Sequence, residues 1–149
     1  MFSPRRRRLL LAALALPAGC AVAEAPPELL VHKDPHCGCC GKWVDHLRAE
    51  GFQVKTFDTD DLDAVKQRLG VPKALSSCHT AQFGTYVIEG HVPASSLKRL
   101  WRERPQLTGL AVPGMPLGSP GMEVPGQSEP YDVKSFDRDG RIQVFEKFP

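Results

Sequence analysis

The stretch that decides the fold is LLVHKDPHCGCCGKWVDHLRAEG, residues 29–51. Its first five residues, Leu29–Lys33, are mostly apolar and predict a short strand. A glycine-rich run with three cysteines follows, and residues 42–50 then have apolar side chains at helical spacing, with Gly51 as a helix end. The stretch therefore predicts a strand, a turn that carries thiols, and a helix.

The elements after this stretch alternate in the same way, and they predict an α/β fold with the order βαβαββα. The predicted elements are a strand at residues 52–56, a helix from a cap at Asp60 or Asp61 to Gly70, a strand at residues 83–88 that turns at Glu89-Gly90 into residues 91–92, and a helix that Pro93 opens and Pro105 stops.

The C-terminal part predicts an extension of this fold. Residues 106–130 are rich in proline and glycine and have no periodicity, so they predict a long loop. Residues 131–148 flank Arg138-Asp139-Gly140 and predict a β-hairpin. A loop of that length is usually functional or disordered, and the sequence leaves open whether it is a lid or a mobile segment.

The first 23 residues predict a secretory signal peptide. Four arginines precede an apolar run that is too short to span a bilayer, and the site Ala21-Val22-Ala23 has the small residues that signal peptidase requires. Cleavage there leaves one domain, residues 24–149. A lipoprotein anchor at Cys20 is the less favoured alternative, because Pro17 stands where that signal normally has leucine.

The charge of the chain argues against nucleic acid as a partner. The sequence has 19 Lys and Arg against 17 Asp and Glu, a net charge of +2. Because the predicted leader holds four of the arginines and no acidic residue, the remaining domain is mildly acidic and has no basic cluster.

The cysteine spacing favours a metal or redox site over a disulfide framework. Cys39 and Cys40 are neighbours and do not easily pair, so two disulfides would have to join Cys78 to one of them and Cys37 to the other, as an oxidised, metal-free state. Thiolates are soft ligands that select Cu(I), zinc or iron–sulfur centres.

Three motifs, in this order, resemble the CopG-type periplasmic copper-resistance proteins. They are Cys37-Gly38-Cys39-Cys40, then Ser77-Cys78-His79-Thr80, then Gly114-Met115-Pro116-Leu117-Gly118-Ser119-Pro120-Gly121-Met122-Glu123. The segment up to Cys40 also resembles the opening of a glutaredoxin. The resemblance implies a thioredoxin-like domain that binds copper in the periplasm of copper-stressed Gram-negative bacteria.

The predicted ligand set is mainly sulfur. In a helix that begins near Cys37, Cys37 and Cys40 share a face while Cys39 points elsewhere, so one ion is not readily surrounded. We therefore expect a polynuclear Cu(I) site with bridging thiolates, and loop methionines as weaker ligands or as apolar anchors of their loop. The candidate ligands are Cys37, Cys39, Cys40, Cys78, Met115, Met122 and His79.

The other histidines give weaker signals. His36 adjoins Cys37 and is a candidate ligand of the same rank as His79. His32 alternates within a strand and is expected to be packed, and His46 lies opposite the apolar helix face and is expected to be solvated. His91, beside a predicted turn at Gly90, has no pattern that indicates metal binding.

Two other functions fit some of these residues. A thiol-disulfide oxidoreductase would use Cys37 as the attacking thiolate and Cys40 as the resolving thiol, but Cys39 would compete, and Thr80-Ala81-Gln82 lacks the proline usual before the third strand. A structural zinc site would normally have two separated CxxC knuckles. Within the copper hypothesis, exchange between Cu(I) and Cu(II) and delivery to copper-efflux or oxidase proteins stay open.

Overall fold

The computed structural model of the protein describes residues 24–149. The predicted signal peptide and the lipoprotein alternative at Cys20 lie outside this range. The described residues form a mixed α/β fold with one seven-stranded sheet and three α-helices. None of the helices in this range has both the length and the apolar character needed to cross a membrane.

The first seven elements follow the predicted βαβαββα order. The strands are β1 (Leu29–Lys33), β2 (Val54–Asp58), β3 (His79–Phe83), β4 (Tyr86–Gly90), β5 (Gly109–Val112), β6 (Tyr131–Phe136) and β7 (Ile142–Phe148). The helices are α1 (Gly38–Ala49), α2 (Leu62–Leu69) and α3 (Ala94–Glu103), and a single 3-10 turn, Lys73–Leu75, follows α2. The predicted C-terminal hairpin is confirmed as β6 and β7, which pair antiparallel.

The sheet register brings four chain segments to one edge of the sheet. The strand order is β2-β1-β3-β4-β5-β6-β7, with β1 parallel to β2, β4 parallel to β5, and the other pairs antiparallel. Lys33 at the end of β1 lies opposite His79 at the start of β3, and Gly90 at the end of β4 lies opposite Val112 at the end of β5. We call this edge, where β1, β4 and β5 end and β3 begins, the site edge.

Both faces of the sheet are covered at the central strands, because β4 and β5 send alternate residues to two apolar clusters, whereas β2 and β7 are mostly exposed. The larger cluster contains residues of α1 and α3, such as Trp43 and Leu97, together with Ile88 of β4. The smaller cluster contains Leu75, from the segment after α2, together with Val87 of β4. The helices thus fix the sheet from both sides.

Residues 106–130 contain a strand, so the prediction of a structureless loop there is wrong. Gly109–Val112 forms β5, and all four of its residues are buried. A strand with both faces covered has no alternation of polar and apolar residues, and this one is only four residues long. Its signal was therefore too short to separate from the proline-rich and glycine-rich sequence around it.

The turn between β3 and β4 also differs from the prediction. The chain turns at Gly84, whose φ is 59°, and not at Glu89-Gly90. Glu89 suggested an exposed turn, but its side chain is fully buried and forms an ion pair with Lys66. A buried carboxylate that has a cationic partner cannot be recognised from local sequence.

Two hydrogen bonds, made by Asp61 and His46, position the helices α2 and α3. The cap of α2 is Asp61, whose carboxylate accepts a hydrogen bond from the Ala64 amide at 2.9 Å, as one of the two predicted alternatives. His46 is not simply solvated, because it is half-buried and its Nε2 atom accepts a hydrogen bond from the Ala94 amide at 3.3 Å. His46 thereby links α1 to the start of α3.

Candidate metal centre

The three clustered cysteines lie at the beginning of α1. The helix starts at Gly38, four residues earlier than predicted, and Cys37 is its N-terminal cap residue. The first amides of a helix have no intrahelical partner, and with the helix dipole they favour thiolates at this position. Cys37 and Cys40 are joined by a disulfide, whereas Cys39 is a half-buried free thiol.

Cys39 does not point away from the other cysteines, so that expectation is wrong. Its Sγ atom lies 3.4 Å from Sγ of Cys37 and 3.9 Å from Sγ of Cys78. The prediction assumed regular helical spacing from Cys37 onward. Because Cys37 precedes the helix and has an extended backbone conformation, its side chain lies beside that of Cys39.

Cys78 joins the cluster from the loop that precedes β3. All four sulfur atoms lie within 4.8 Å of one another, although Cys78 is 38 residues beyond Cys40. The pairing of Lys33 with His79 explains this proximity, because it holds the start of β3 beside the end of β1, from which the chain enters α1. The sequence-based expectation that the loop before the third strand faces the start of the first helix is confirmed.

Two buried histidines extend the cluster on the side of Cys78. Nε2 of His91 lies 3.1 Å from Sγ of Cys78, and Nδ1 of His79 lies 3.3 Å from the same sulfur. Nδ1 of His91 donates a hydrogen bond to the Pro120 carbonyl at 2.8 Å. This bond leaves the Nε2 lone pair of His91 directed at the sulfur atoms, as in a histidine oriented for metal binding.

Sequence analysis did not identify His91. It immediately follows β4, and the register of β4 against β3 brings it beside Cys78. The only local signal was the nearby glycine, Gly90, which also fits an ordinary turn. The β3–β4 pairing is the information that could have identified His91.

His79 is the more constrained of the two imidazoles. Its ring packs against the Trp43 ring at a centroid distance of 4.3 Å, and it is fully buried. Within the described residues its Nε2 atom has no hydrogen-bond partner. His79 therefore faces the cluster through Nδ1, either as a ligand or as a hydrogen-bond donor to the Cys78 sulfur.

Burial disfavours the charged forms of Cys78 and of the two histidines beside it, as the directions of their pKa shifts show. Burial, and then the neighbouring Cys39, raise the pKa of Cys78 to about 12. Burial lowers the pKa of His79 well below its ordinary value, and it also lowers the pKa of His91. Neutral imidazoles are competent ligands, and a metal ion must displace the proton of Cys78 before the thiolate can bind it.

The segment between β5 and β6 covers the cluster as an ordered lid. Its Gly121, with φ of 88°, packs so closely on α1 that an added Cβ would lie 2.8 Å from the Cys39 carbonyl oxygen and 2.8 Å from the Trp43 amide nitrogen. Ser77 Oγ also donates a hydrogen bond to the Gly114 carbonyl. Sequence left open whether this segment is a lid or a mobile segment, and the part that contacts the site is a lid.

The two candidate methionines have different positions on this lid. The Met115 sulfur lies 4.0 Å from Sγ of Cys39, and the side chain is 51% exposed. Met122 is half-buried, and among the described residues its sulfur has no hydrogen-bond contact with a cysteine. His36 is exposed. The structure therefore brings Met115 to the cysteines and provides no such contact for Met122.

A buried polar network lies behind the loop of Cys78. The carboxylate of Glu89 accepts hydrogen bonds from the Ser77 amide at 2.5 Å and from the Thr80 hydroxyl at 2.7 Å. Lys66 neutralises it at 2.6 Å. Glu89 therefore ties residues on both sides of Cys78 and His79 to β4, and this network was not predicted from sequence.

The fold and the site together define a metal-binding type of α/β domain. The chain is a mixed α/β domain with an intramolecular cluster of four cysteine sulfurs and two imidazoles, the donor types that bind soft and borderline metal ions. Two solved structures, copper resistance protein CopG in form 1 and in form 2, are similar to it. Each is 46% identical over 84% of this chain, with TM-scores of 0.79 and 0.80.

The comparison covers almost the whole of each solved chain, 99% of form 1 and 100% of form 2. Residues 75–122 also match the family model described as protein of unknown function, DUF411. No curated protein sequence matches the chain. The chain belongs to the CopG family of copper resistance proteins.

Proposed function

We propose that this protein binds copper in the periplasm as part of copper resistance, holding Cu(I) in a polynuclear site of bridging cysteine thiolates. One observation carries the proposal: four cysteine sulfurs from two distant segments converge within 4.8 Å of one another. Thiolates and thioethers are the ligands that stabilise Cu(I). The two similar structures are copper resistance proteins, which agrees with this choice of metal.

The proposed ligands are Cys37, Cys39, Cys40 and Cys78 in their reduced form, with further donors at the rim. His91 and His79 supply nitrogen atoms beside Cys78, and Met115 supplies a thioether beside Cys39. Met122 stays a weaker candidate, because among the described residues its sulfur makes no hydrogen-bond contact with a cysteine. Copper is the cargo of this site. The proposal includes that the site holds more than one copper ion and that copper is in the Cu(I) state.

The proposed setting is a thioredoxin-like domain delivered to the periplasm by residues 1–23. The central strand order β2-β1-β3-β4, with β3 antiparallel to β1, supports that fold assignment. Mass spectrometry of the protein from a periplasmic fraction tests the localisation. Cleavage after Ala23 is expected, and a lipid on Cys20 would contradict it.

Anaerobic titration of the fully reduced protein with Cu(I), against a chromophoric chelator, tests the metal site. We expect more than one copper per chain and the protection of all four thiols from alkylation. Cys78→Ser should lower the copper number, whereas His36→Ala, which changes an exposed neighbour of the cluster, should not. Saturation of the reduced protein at one copper would refute the polynuclear site.

The second candidate function is thiol-disulfide exchange, and the disulfide between Cys37 and Cys40 at the start of α1 favours it. This function requires Cys37 to attack and Cys40 to resolve, while Cys39, 3.4 Å from Cys37, competes as a third thiol. Cys39→Ser therefore separates the two candidates. The substitution should preserve or improve disulfide exchange, but it should weaken copper retention.

Copper redox exchange is a variant of the first proposal. The set is mostly sulfur, which favours Cu(I), but the imidazole of His91 is a donor that Cu(II) also accepts. Each conversion would move one electron between copper and an external redox partner, such as an oxidase. If the copper-loaded protein resists oxidation to Cu(II), this variant is wrong and sequestration remains.

A further inference from the structure

The disulfide between Cys37 and Cys40 divides the donors of the cluster into two groups. Sulfur atoms in a disulfide carry no thiolate charge and are poor ligands, so these two residues leave the ligand set when they are oxidised. The remaining donors form a chain of neighbours, in which Met115 contacts Cys39, Cys39 contacts Cys78, and Cys78 contacts His91. They are Sγ of Cys39, Sγ of Cys78, Nε2 of His91 and Sδ of Met115.

We propose that the disulfide form of this protein keeps a smaller site that holds one Cu(I) ion, with the thiolates of Cys39 and Cys78 as ligands, His91 as an outer donor beside Cys78 and Met115 as an outer donor beside Cys39. This inference rests on the proposed copper-binding function and deepens it. It makes the Cys37–Cys40 pair a redox switch of copper capacity, from several ions in the reduced form to one in the oxidised form.

The spacing of the two free thiols fits a single ion. The sulfur atoms of Cys39 and Cys78 lie 3.9 Å apart. With metal–sulfur bonds of about 2.3 Å, that separation corresponds to a sulfur–metal–sulfur angle of about 116°. This angle lies between trigonal and tetrahedral geometry, so one d¹⁰ ion can take both thiolates without a change in the backbone.

The nitrogen donor is already oriented for such an ion. The Pro120 carbonyl accepts the Nδ1 proton of His91 at 2.8 Å, which fixes the tautomer with a free lone pair on Nε2. That nitrogen lies 3.1 Å from Sγ of Cys78, and it belongs to a group of close donors that contains Cys78 and His79 but not Cys39, so His91 is an outer donor. Neither of these contacts involves Cys37 or Cys40, so oxidation leaves them in place.

Met115 gives the smaller site an opening to solvent. Its sulfur lies 4.0 Å from Sγ of Cys39, and half of its side chain is exposed. A thioether favours Cu(I) over harder ions, and a flexible methionine can move with an entering ion. The ion would therefore enter and leave beside Cys39.

The switch itself is an ordinary exchange reaction. A dithiol reduces the Cys37–Cys40 bond, supplying two electrons and two protons, and leaves as its own disulfide. Two thiols are thereby added to the cluster, and their sulfur atoms can then bridge further copper ions. Oxidation by a disulfide reverses each of these changes.

The test compares copper capacity in two redox states of the purified protein. The disulfide form, freed of reductant, is titrated with Cu(I) beside the reduced form, and copper and free thiols are counted at saturation. We expect one copper in the disulfide form, with Cys39 and Cys78 protected from alkylation. No tightly bound copper, or more than one ion, in the disulfide form would overturn the inference.

Thiol–disulfide exchange can place Cys39 in the disulfide and so change which thiols are free. Two matched double variants remove this ambiguity. Cys37→Ser with Cys40→Ser removes the same two sulfurs permanently, and it should hold one copper whether or not reductant is present. Cys39→Ser with Cys78→Ser preserves the disulfide, and in its oxidised form it should hold none. Circular dichroism checks that each variant has the native fold.

The results distinguish this inference from the function on which it rests. If the reduced wild-type protein saturates at one copper, the polynuclear proposal fails. The number of copper ions bound by the disulfide form still tests the smaller site. If the reduced protein takes up several ions and the Cys37→Ser, Cys40→Ser variant takes up none, the polynuclear site stands and the smaller site is refuted.

Discussion

Gly121→Ala is the substitution that most directly tests how the lid packs on the proposed metal centre. Gly121 has φ of 88°, and its Cα faces the first turn of α1. A methyl group there would lie 2.8 Å from the Cys39 carbonyl oxygen and 2.8 Å from the Trp43 amide nitrogen. Both of these atoms belong to the helix backbone, so neither can rotate away.

The expected cost has two parts. A residue other than glycine at this φ costs roughly 1–3 kcal/mol. Overpacking against fixed backbone costs about 1–3 kcal/mol more. The free energy of unfolding should therefore fall by about 2–6 kcal/mol if the two costs add. Gly126→Ala is the matched control, because its φ is 73° and no atom lies within 4 Å of the added methyl group, so only the first part applies.

Denaturant unfolding of the copper-free variants measures this difference, and Cu(I) competition measures its effect on the site. Displacement of the lid would move the Pro120 carbonyl away from His91, so Gly121→Ala should also weaken copper binding by about 10- to 100-fold. Gly126→Ala should leave copper binding unchanged. Equal losses of stability in the two variants would refute the argument from close packing.

Three further predictions concern single side chains. Lys66→Met leaves the buried Glu89 carboxylate without its cation and should lower the free energy of unfolding by about 3–5 kcal/mol. The double variant with Glu89→Gln should lose less stability than the sum of the two single variants. Additive losses would contradict the coupling of Lys66 and Glu89. His91→Ala should weaken Cu(I) binding in the competition assay, whereas His46→Ala should not, and equal effects would remove His91 from the ligand set. Met115→Leu should change stability by less than about 0.5 kcal/mol yet speed copper release to a chelator, and unchanged release would exclude Met115 as a donor.

The parts of the site that sequence predicts are those with a local signal. Cys37, Cys39 and Cys40 occupy four consecutive positions with Gly38, so their grouping needs no knowledge of the fold. Cys78 was connected to them through the expected element order, and the structure confirms that connection. The first strand was predicted with its observed bounds, and the helices and the second strand with shifted bounds, whereas the next two strands were predicted as residues 83–88 and 91–92, with the turn at Glu89-Gly90, and are in fact His79–Phe83 and Tyr86–Gly90.

The parts that sequence missed depend on contacts between distant residues. Glu89 is polar and precedes a glycine, so its pattern fits a turn, and only Lys66 from α2 explains its burial. The strand Gly109–Val112 was missed for a related reason, because burial on both faces removes the alternation that identifies strands. In both cases the deciding partner lies more than 15 residues away in the chain.

The register of the sheet is the single piece of information that would have completed the site. Thr80 pairs with Glu89 in antiparallel strands. Cys78 lies two residues before Thr80 and His91 lies two residues after Glu89, so this pair alone places His91 near Cys78. Once Gly90 pairs with Val112, the lid that begins after β5 must start beside His91. The donors therefore meet at the site edge because four strands end or begin there, and a substitution that shifts this register should disperse the sulfur cluster even though no ligand has been changed.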